Sequence, residues 1–305
     1  MFGRTLIIAN PVAGKGEGQE YAQALRTVLE ETYQNECTIK VTEGDDDAFE
    51  WSKQAIDEGF ESVLCLGGDG TVSQTVAGLL QNKERPRFAF IPLGTVNDLA
   101  RALGYSMNPQ KAIERMKDVE IDTLDIGQIN DQYFINVVAV GPIPESVMQT
   151  DSDDKNRLGA FAYVIDGFTA FFSEKGYDLH IVDADGVETD IVSNLLLIGL
   201  TNSIGGIEIM NPEAKYNDGL MYLAAIRGHN PMDTIRGVLE GGIFETDKER
   251  LLLMESSQFQ ITTQESQDVP TNVDGDPGPA LPLDLQVLHQ ALEIYVPRNR
   301  RRILG

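Results

Sequence analysis

Histidine and cysteine are scarce in this 305-residue chain, at 3 and 2 residues. The two cysteines, Cys37 and Cys65, make no disulfide framework, and with the scattered histidines they give no zinc spacing. A reducing, cytoplasmic compartment is expected. Positive charge is also short: 24 Lys and Arg face 48 Asp and Glu, for a net charge of −24. A phosphate backbone is repelled by such a chain, which argues against nucleic acid as its partner. An anionic membrane would be gripped only through a local basic patch, and the one such patch is Arg298, Arg300, Arg301 and Arg302. Long apolar runs are missing too. The best, residues 195–200, falls far short of the roughly 20 residues that span a bilayer, so any membrane contact is expected to be peripheral, at the inner face. Met1-Phe2-Gly3-Arg4-Thr5 starts directly into a strand pattern and lacks the layout of a signal peptide.

What remains is the composition of a globular protein, 42% hydrophobic and 24% charged, on a chain long enough to suggest two domains. Over the first 125 residues short apolar runs alternate with helical patterns. Strands are expected at 6–9, 38–41, 63–66 and 88–91, and helices at 18–31, 45–58, 72–80 and 97–103. Four β-turn-α units in series imply a parallel sheet covered by helices, with its ligand at the carboxyl ends of the strands. The acidic cluster Glu43, Asp45, Asp46 and Asp47 reads as a solvated helix start.

Beyond Asp125 the pattern changes. Strand-like runs at 133–140, 177–182, 191–200, 220–226, 258–263 and 285–296 are separated by turns such as Asp185-Gly186, Asp218-Gly219 and Asp274-Gly275. Helices are expected at 158–172 and 231–241. The reading is an N-terminal α/β domain over 1–125 and a mainly antiparallel β domain over 126–296, with the tail from 297 returning to the first.

Gly67-Gly68-Asp69-Gly70-Thr71 is the most informative stretch. Its glycines let the main chain turn sharply behind a strand and present bare N–H groups to phosphate oxygens, with a helix start behind them. Asp69 repels a phosphate unless a cation such as Mg²⁺ sits between them; the alternative is a tight turn capped by Asp69. Two more turns fall on the same sheet edge, Asn10-Pro11-Val12-Ala13-Gly14-Lys15-Gly16 and Pro92-Leu93-Gly94-Thr95-Val96-Asn97-Asp98. Neither ends as a Walker A loop, and neither matches the dinucleotide fingerprint. Taken singly, Lys15 is an ordinary surface lysine.

Together, the Gly67–Thr71 turn and Leu93-Gly94-Thr95-Val96-Asn97-Asp98-Leu99-Ala100-Arg101 resemble the bacterial diacylglycerol kinase family, related to sphingosine and ceramide kinases. Further matches run along the chain: Asn10-Pro11 with Gly14, Thr42, Leu158-Gly159 with Ala162-Tyr163, Asn202 with Gly205-Gly206, Pro212 with Ala214, Asp218-Gly219, and Asp274-Gly275. The resemblance implies an ATP-binding α/β domain, a β-sandwich domain, and an active site in the cleft between them. It implies that ATP is lined by Asn10, Lys15, Thr42, Gly67, Gly68, Asp69, Gly70, Thr71, Val72, Ser73, Gly94, Thr95 and Asn97. It implies that Asp69, Asp98 and Asp125 organise a catalytic Mg²⁺ through water. From the residues alone, Asp98 reads as a helix cap and Asp125 as a turn at the domain border.

The family's proton acceptor is a glutamate directly after the late Asp-Gly pair; here that place is held by Asp276, one methylene shorter. Ser73 and Gln74 stand where the family often has Asn and Glu. Many members hold a structural Mg²⁺ through an acid corresponding to Asp218, a main-chain carbonyl corresponding to Leu220, and a second acid three residues before Asp218. That second acid is Lys215 here, whose ammonium next to Asp218 is expected to replace the cation.

The aromatic run Phe161, Tyr163, Val164, Ile165, Phe168, Phe171 and Phe172 suits core packing before it suits a lipid tail, and the terminal arginines suit a solvated tail as well as lipid headgroups. The function implied is Mg²⁺-dependent transfer of the ATP γ-phosphate to diacylglycerol or a similar neutral lipid. The alternatives are a kinase of a soluble substrate such as NAD, and a non-catalytic nucleotide-binding regulator. The sequence leaves oligomeric state open, a homodimer included.

Overall fold

The computed structural model describes residues 1–142, 176–201, 203–204, 207–208, 214–227, 251–263 and 269–298. The helices expected at 158–172 and 231–241, the aromatic run within the first of them, Asn202, Gly205, Gly206, Pro212 and Arg300 to Arg302 lie outside those residues. The chain forms two compact units, Met1–Leu124 with the chain from Gln290 on, and Asp125–His289.

The first unit contains β1 (Thr5–Ala9), α1 (Ala13–Gly16), α2 (Gly18–Tyr33), β2 (Cys37–Val41), α3 (Asp47–Gln54), β3 (Ser62–Gly67), α4 (Asp69–Leu79), β4 (Arg87–Pro92), α5 (Asp98–Ala102) and α6 (Pro109–Arg115). The strand β5 (Val119–Ile129) then carries the chain into the second unit. There it forms β6 (Gln132–Phe134), β7 (Val137–Val140), β8 (Tyr177–Asp183), β9 (Glu188–Ser193), β10 (Leu196–Gly199), β11 (Ser203–Ile204), β12 (Ile207–Glu208) and β13 (Met221–Ile226). These are followed by β14 (Leu251–Ser256), β15 (Gln258–Thr263), β16 (Thr271–Val273) and β17 (Asp276–Pro277), and β18 (Leu283–Pro297) carries the chain back.

In the first unit β2, β1, β3 and β4 lie in that order and are all parallel. Every residue of β1 and β3 is buried, as expected of strands covered on both faces. The order reverses at β1, which has β2 on one side and β3 on the other. The carboxyl ends of β1 and β3 are therefore the place where a sheet of this order takes its ligand. α2 buries Ala22, Leu25 and Leu29 on one stripe and stops at Gln34, which adopts the left-handed conformation at φ 55°. The acidic cluster opens α3: Asp47 accepts hydrogen bonds from the main-chain N–H groups of Glu43 and Gly44, at 2.7 and 2.9 Å. α6 had no strong apolar period to announce it. It is set by Asn108, whose side chain accepts from Lys111 N at 3.0 Å, and by Pro109 in its first turn. The end of β18 extends the sheet, pairing Ile294 with Phe88 of β4 in parallel.

The second unit is a sandwich. One antiparallel sheet runs β14-β13-β10-β7-β16-β17. Facing it are β9, β8, β15 and the first part of β18, joined antiparallel, with β5 paired to β6. Val138, Ile198 and Leu223 from one layer share a core with Leu179, Ile181, Phe259 and Leu285 from the other. The run 191–200, expected as one strand, is two: β9 ends at Ser193, and Asn194 and Leu195 break the path before β10. Ser193 Oγ donates to Leu195 O at 2.8 Å and so satisfies the main chain at the break.

Candidate active site

The turns after β1, β3 and β4 form one hydrogen-bonded structure. Asn10 N donates to Leu66 O at 3.0 Å, and Leu93 N donates to Gly67 O at 2.8 Å, so each outer turn leaves the sheet still tied to β3. The Asn10 amide reaches Thr71 Oγ1 at 3.3 Å and accepts from Val12 N at 3.1 Å. Gly14 N donates to Leu93 O at 3.3 Å and closes the ring of turns. Gly68 and Gly94 meet main chain to main chain: a Cβ on Gly94 would lie 2.7 Å from Gly68 Cα. Gly94 therefore requires glycine, while a Cβ on Gly68 would meet Gly94 Cα at a tight 3.3 Å.

α1 is not a regular helix. Gly14, Lys15 and Gly16 take φ of 61°, 63° and 86°, a left-handed run that costs Lys15 about 1–2 kcal/mol. Such strain is held where it shapes a site. Lys15 is exposed, and among the described residues its ammonium makes no ion pair.

Asp69 opens α4, and its carboxylate accepts from Asn97 N at 2.9 Å. Asn97 is buried at φ 52° and clasps Gly94 from both sides: its Oδ1 accepts from Gly94 N at 3.1 Å and its Nδ2 donates to Gly94 O at 2.6 Å. Burial raises the Asp69 carboxyl above the usual carboxylate range; Asn97 N–H opposes the shift and the charge of Asp98 adds to it. Asp98 is itself buried. Two carboxylates that feel each other's charge form a donor set that suits a hydrated divalent cation. Asn10, Gly67, Gly68, Asp69, Thr71, Gly94, Asn97 and Asp98 are thus joined directly.

The other expected residues stand around them. Thr42 follows β2 and donates its N–H to Ala9 O at 2.9 Å. Gly70 is exposed with nothing within 4 Å of a Cβ placed on it, so the first turn of α4 is open. Ser73 is half-buried on α4 and Thr95 is exposed, whereas the Val72 side chain lies in the core and offers only main chain.

In the second unit Asp125 is fully enclosed. Its Oδ2 accepts from Gly219 N at 2.6 Å, and its Oδ1 lies 3.0 Å from His289 Nδ1. The carboxylate is committed to protein partners, and among the described residues no three His, Cys, Asp or Glu groups gather as metal ligands. The expected ammonium beside Asp218 is also replaced. Lys215 is exposed, and it is its main-chain N–H that meets Asp218 Oδ2, at 2.8 Å. Tyr222 Oη donates to the same oxygen at 2.7 Å, and Leu220 N donates to Oδ1 at 3.1 Å. Burial, followed by its bond to Asp218, pushes the Tyr222 hydroxyl well above its ordinary range. With one carboxylate and three donors aimed at it, this turn does not fit a structural cation.

Asp274 and Asp276 bracket the β16–β17 turn with opposite roles. Asp274 Oδ2 accepts from Ile135 N at 2.7 Å, and its Oδ1 accepts from Asn136 N and Val137 N, both at 2.9 Å. Asp276 is exposed and pairs with Val273 across the turn. His289, Tyr222 and the anchoring role of Asp274 had no signal in the sequence, because each acts on a partner distant in the chain or on main chain.

Glycine-rich turns with Asp69 and Asp98 beside them thus stand on the α/β unit, and the second unit is a β-sandwich. Residues 4–129 match the diacylglycerol kinase catalytic domain, and residues 137–296 match the YegS C-terminal NAD kinase beta sandwich-like domain. A diacylglycerol kinase of Staphylococcus carnosus is 32% identical over 97% of this chain and 96% of its own, and one of Staphylococcus aureus is 31% identical over 97% and 93%. A Bacillus anthracis structure described as a diacylglycerol kinase superposes with a TM-score of 0.80 at 21% identity, covering 98% of this chain and 99% of its own, and so shares the fold. The chain belongs to the diacylglycerol kinase family. Among the described residues no helix is long and apolar enough to cross a membrane.

Proposed function

We propose that the protein transfers the γ-phosphate of ATP to the free hydroxyl of diacylglycerol, or a similar neutral lipid, giving phosphatidic acid. The observation that carries this reading is the Gly68–Gly94 contact with Asp69 bonded to Asn97. It supports a cradle of main-chain N–H groups with a carboxylate held at its rim. The open first turn of α4 around Gly70 and the Lys15 ammonium hold the polyphosphate, the outer turns having spent their N–H groups on fixing the cradle's shape, while Thr42 and Ser73 flank the nucleotide. Asp69 and Asp98 hold Mg²⁺ through water, and bound Mg²⁺ neutralises charge on the phosphates. Asp125, enclosed and committed to Gly219 and His289, shapes the second unit rather than contacting the ion. Asp276, exposed on its turn, takes the lipid hydroxyl proton as the oxygen attacks phosphorus. The lipid is met by peripheral contact at the inner membrane face.

The test is transfer from γ-labelled ATP to dioleoylglycerol in mixed micelles, followed by organic extraction. Label in the organic phase, lost with Asp69→Asn, supports the reading. Label from wild type that stays aqueous with NAD as acceptor favours the soluble-substrate alternative, for which the match of residues 137–296 to an NAD kinase-like sandwich speaks.

A further inference from the structure

The family resemblance implies a cation at the turn around Asp218 where a second acid is present, and here the turn is built otherwise. Asp218 spends its carboxylate on Lys215 N, Leu220 N and the Tyr222 hydroxyl. From the opposite side, Asp125 holds the next residue through Gly219 N at 2.6 Å, and His289 Nδ1 lies 3.0 Å from the other oxygen of Asp125. Gly219 sits at φ +81°, and a Cβ there would come within 3.1 Å of His289 Nδ1, so the imidazole packs directly on the turn. Asp125 N donates to Tyr216 O at 2.8 Å and pins the start of the same segment. The Asp125 side chain is 1% exposed, so a carboxylate there is stable only while these donors stay in place.

We propose that this chain holds the 215–222 turn without any divalent ion, by a clasp of Asp218 with Tyr222 and of Asp125 with His289 and Gly219, and that the residue at position 215 decides between the two designs. An acid at 215 would set two carboxylates against each other and require a cation between them. Lysine removes that requirement, and its side chain points to solvent while its main chain completes the turn. His289 and Tyr222 are then positioning residues that do the work of an ion.

The inference is tested on the full chain without nucleotide, by thermal unfolding in excess MgCl₂ and in EDTA. Wild type is expected to melt at the same temperature in both. His289→Ala and Tyr222→Phe are expected to lower Tm by about 4 °C or more, equally in both buffers. Lys215→Asp is expected to gain a Mg²⁺-dependent rise in Tm and a Mn²⁺ site visible by electron paramagnetic resonance. Asp69→Asn in the Lys215→Asp background should keep that site, and Asp218→Asn should abolish it. A wild-type Tm that falls in EDTA, with the difference erased by Asp218→Asn but kept in Asp69→Asn, would overturn the proposal. So would a folded Lys215→Asp that remains indifferent to Mg²⁺. None of these readouts uses catalysis, so they stand apart from the assay for lipid phosphorylation.

Discussion

Gly68 and Gly94 touch through their main chains, and Asn97 fixes that contact by bonding Gly94 through both ends of its amide. A methyl group on Gly94 would press on Gly68 Cα at 2.7 Å and on Asn97 Oδ1 at 2.8 Å. Gly68 Cα is main chain, and the Asn97 amide is held in place by its bonds to Gly94 N and O. Gly94→Ala should therefore part the two turns, cost about 1–3 kcal/mol of stability and weaken ATP binding roughly 10²-fold. Denaturant titration and calorimetry with Mg-ATP measure both; unchanged affinity would break the link between this contact and the nucleotide.

Asp69→Asn separates chemistry from stability. Because burial raises the Asp69 carboxyl, the folded chain holds that proton more tightly than the unfolded chain does. Its stabilising contribution is complete below the ordinary value of 3.8 and is lost as pH rises through the higher folded value. Asparagine keeps an oxygen to accept from Asn97 N and carries no charge. The variant should melt above wild type at pH 7, with the gap closing as pH falls toward 4, while lipid phosphorylation drops about 10³-fold or more. Parallel melts at the two pH values and the extraction assay decide it.

Two aspartates two positions apart should behave oppositely. Asp274→Ala strips three main-chain N–H groups of their acceptor and should cost about 3 kcal/mol, read by urea unfolding. Asp276→Ala should leave unfolding within about 0.5 kcal/mol of wild type and reduce turnover about 10²-fold. Asp276→Glu, which restores the reach of the usual family residue, should remain active.

The cysteines give an independent measure of packing. Burial pushes the Cys65 thiol up to about 12 and the Cys37 thiol up to about 11. Neither should react with a disulfide reagent in the native protein at pH 8, and 2 thiols should appear on unfolding. A fast-reacting thiol in the native state would mean that β2 or β3 opens.

The sequence made the parallel sheet readable because apolar runs such as Leu6-Ile7-Ile8-Ala9 and Val63-Leu64-Cys65-Leu66 are each followed by glycine and a helical period. It also named Asn10, Gly68, Asp69, Thr71, Gly94 and Asn97, though not that they bond to one another. α6 escaped because 7 residues capped by Asn108 carry too little period to register. β14 escaped because its alternation in burial is hidden by leucine on both faces. The break at Asn194 was masked by the apolar residues on either side. Lys215 suggested an ammonium against Asp218, but the side chain of Tyr222 and main-chain N–H groups had already filled that place. Composition says nothing about which atom of a residue will arrive first.

The return of β18 to the first unit bears on how the chain is made. Tyr295 is buried there, with its ring 4.0 Å from that of Phe2 and its hydroxyl bonded to Ser62 and to the carbonyl of Met1. A ribosome releases Phe2 and β1 through β4 long before it releases Tyr295. The first unit must wait, one wall unfinished, while the whole sandwich is synthesised, so its completion during translation reports that the sandwich has already been delivered.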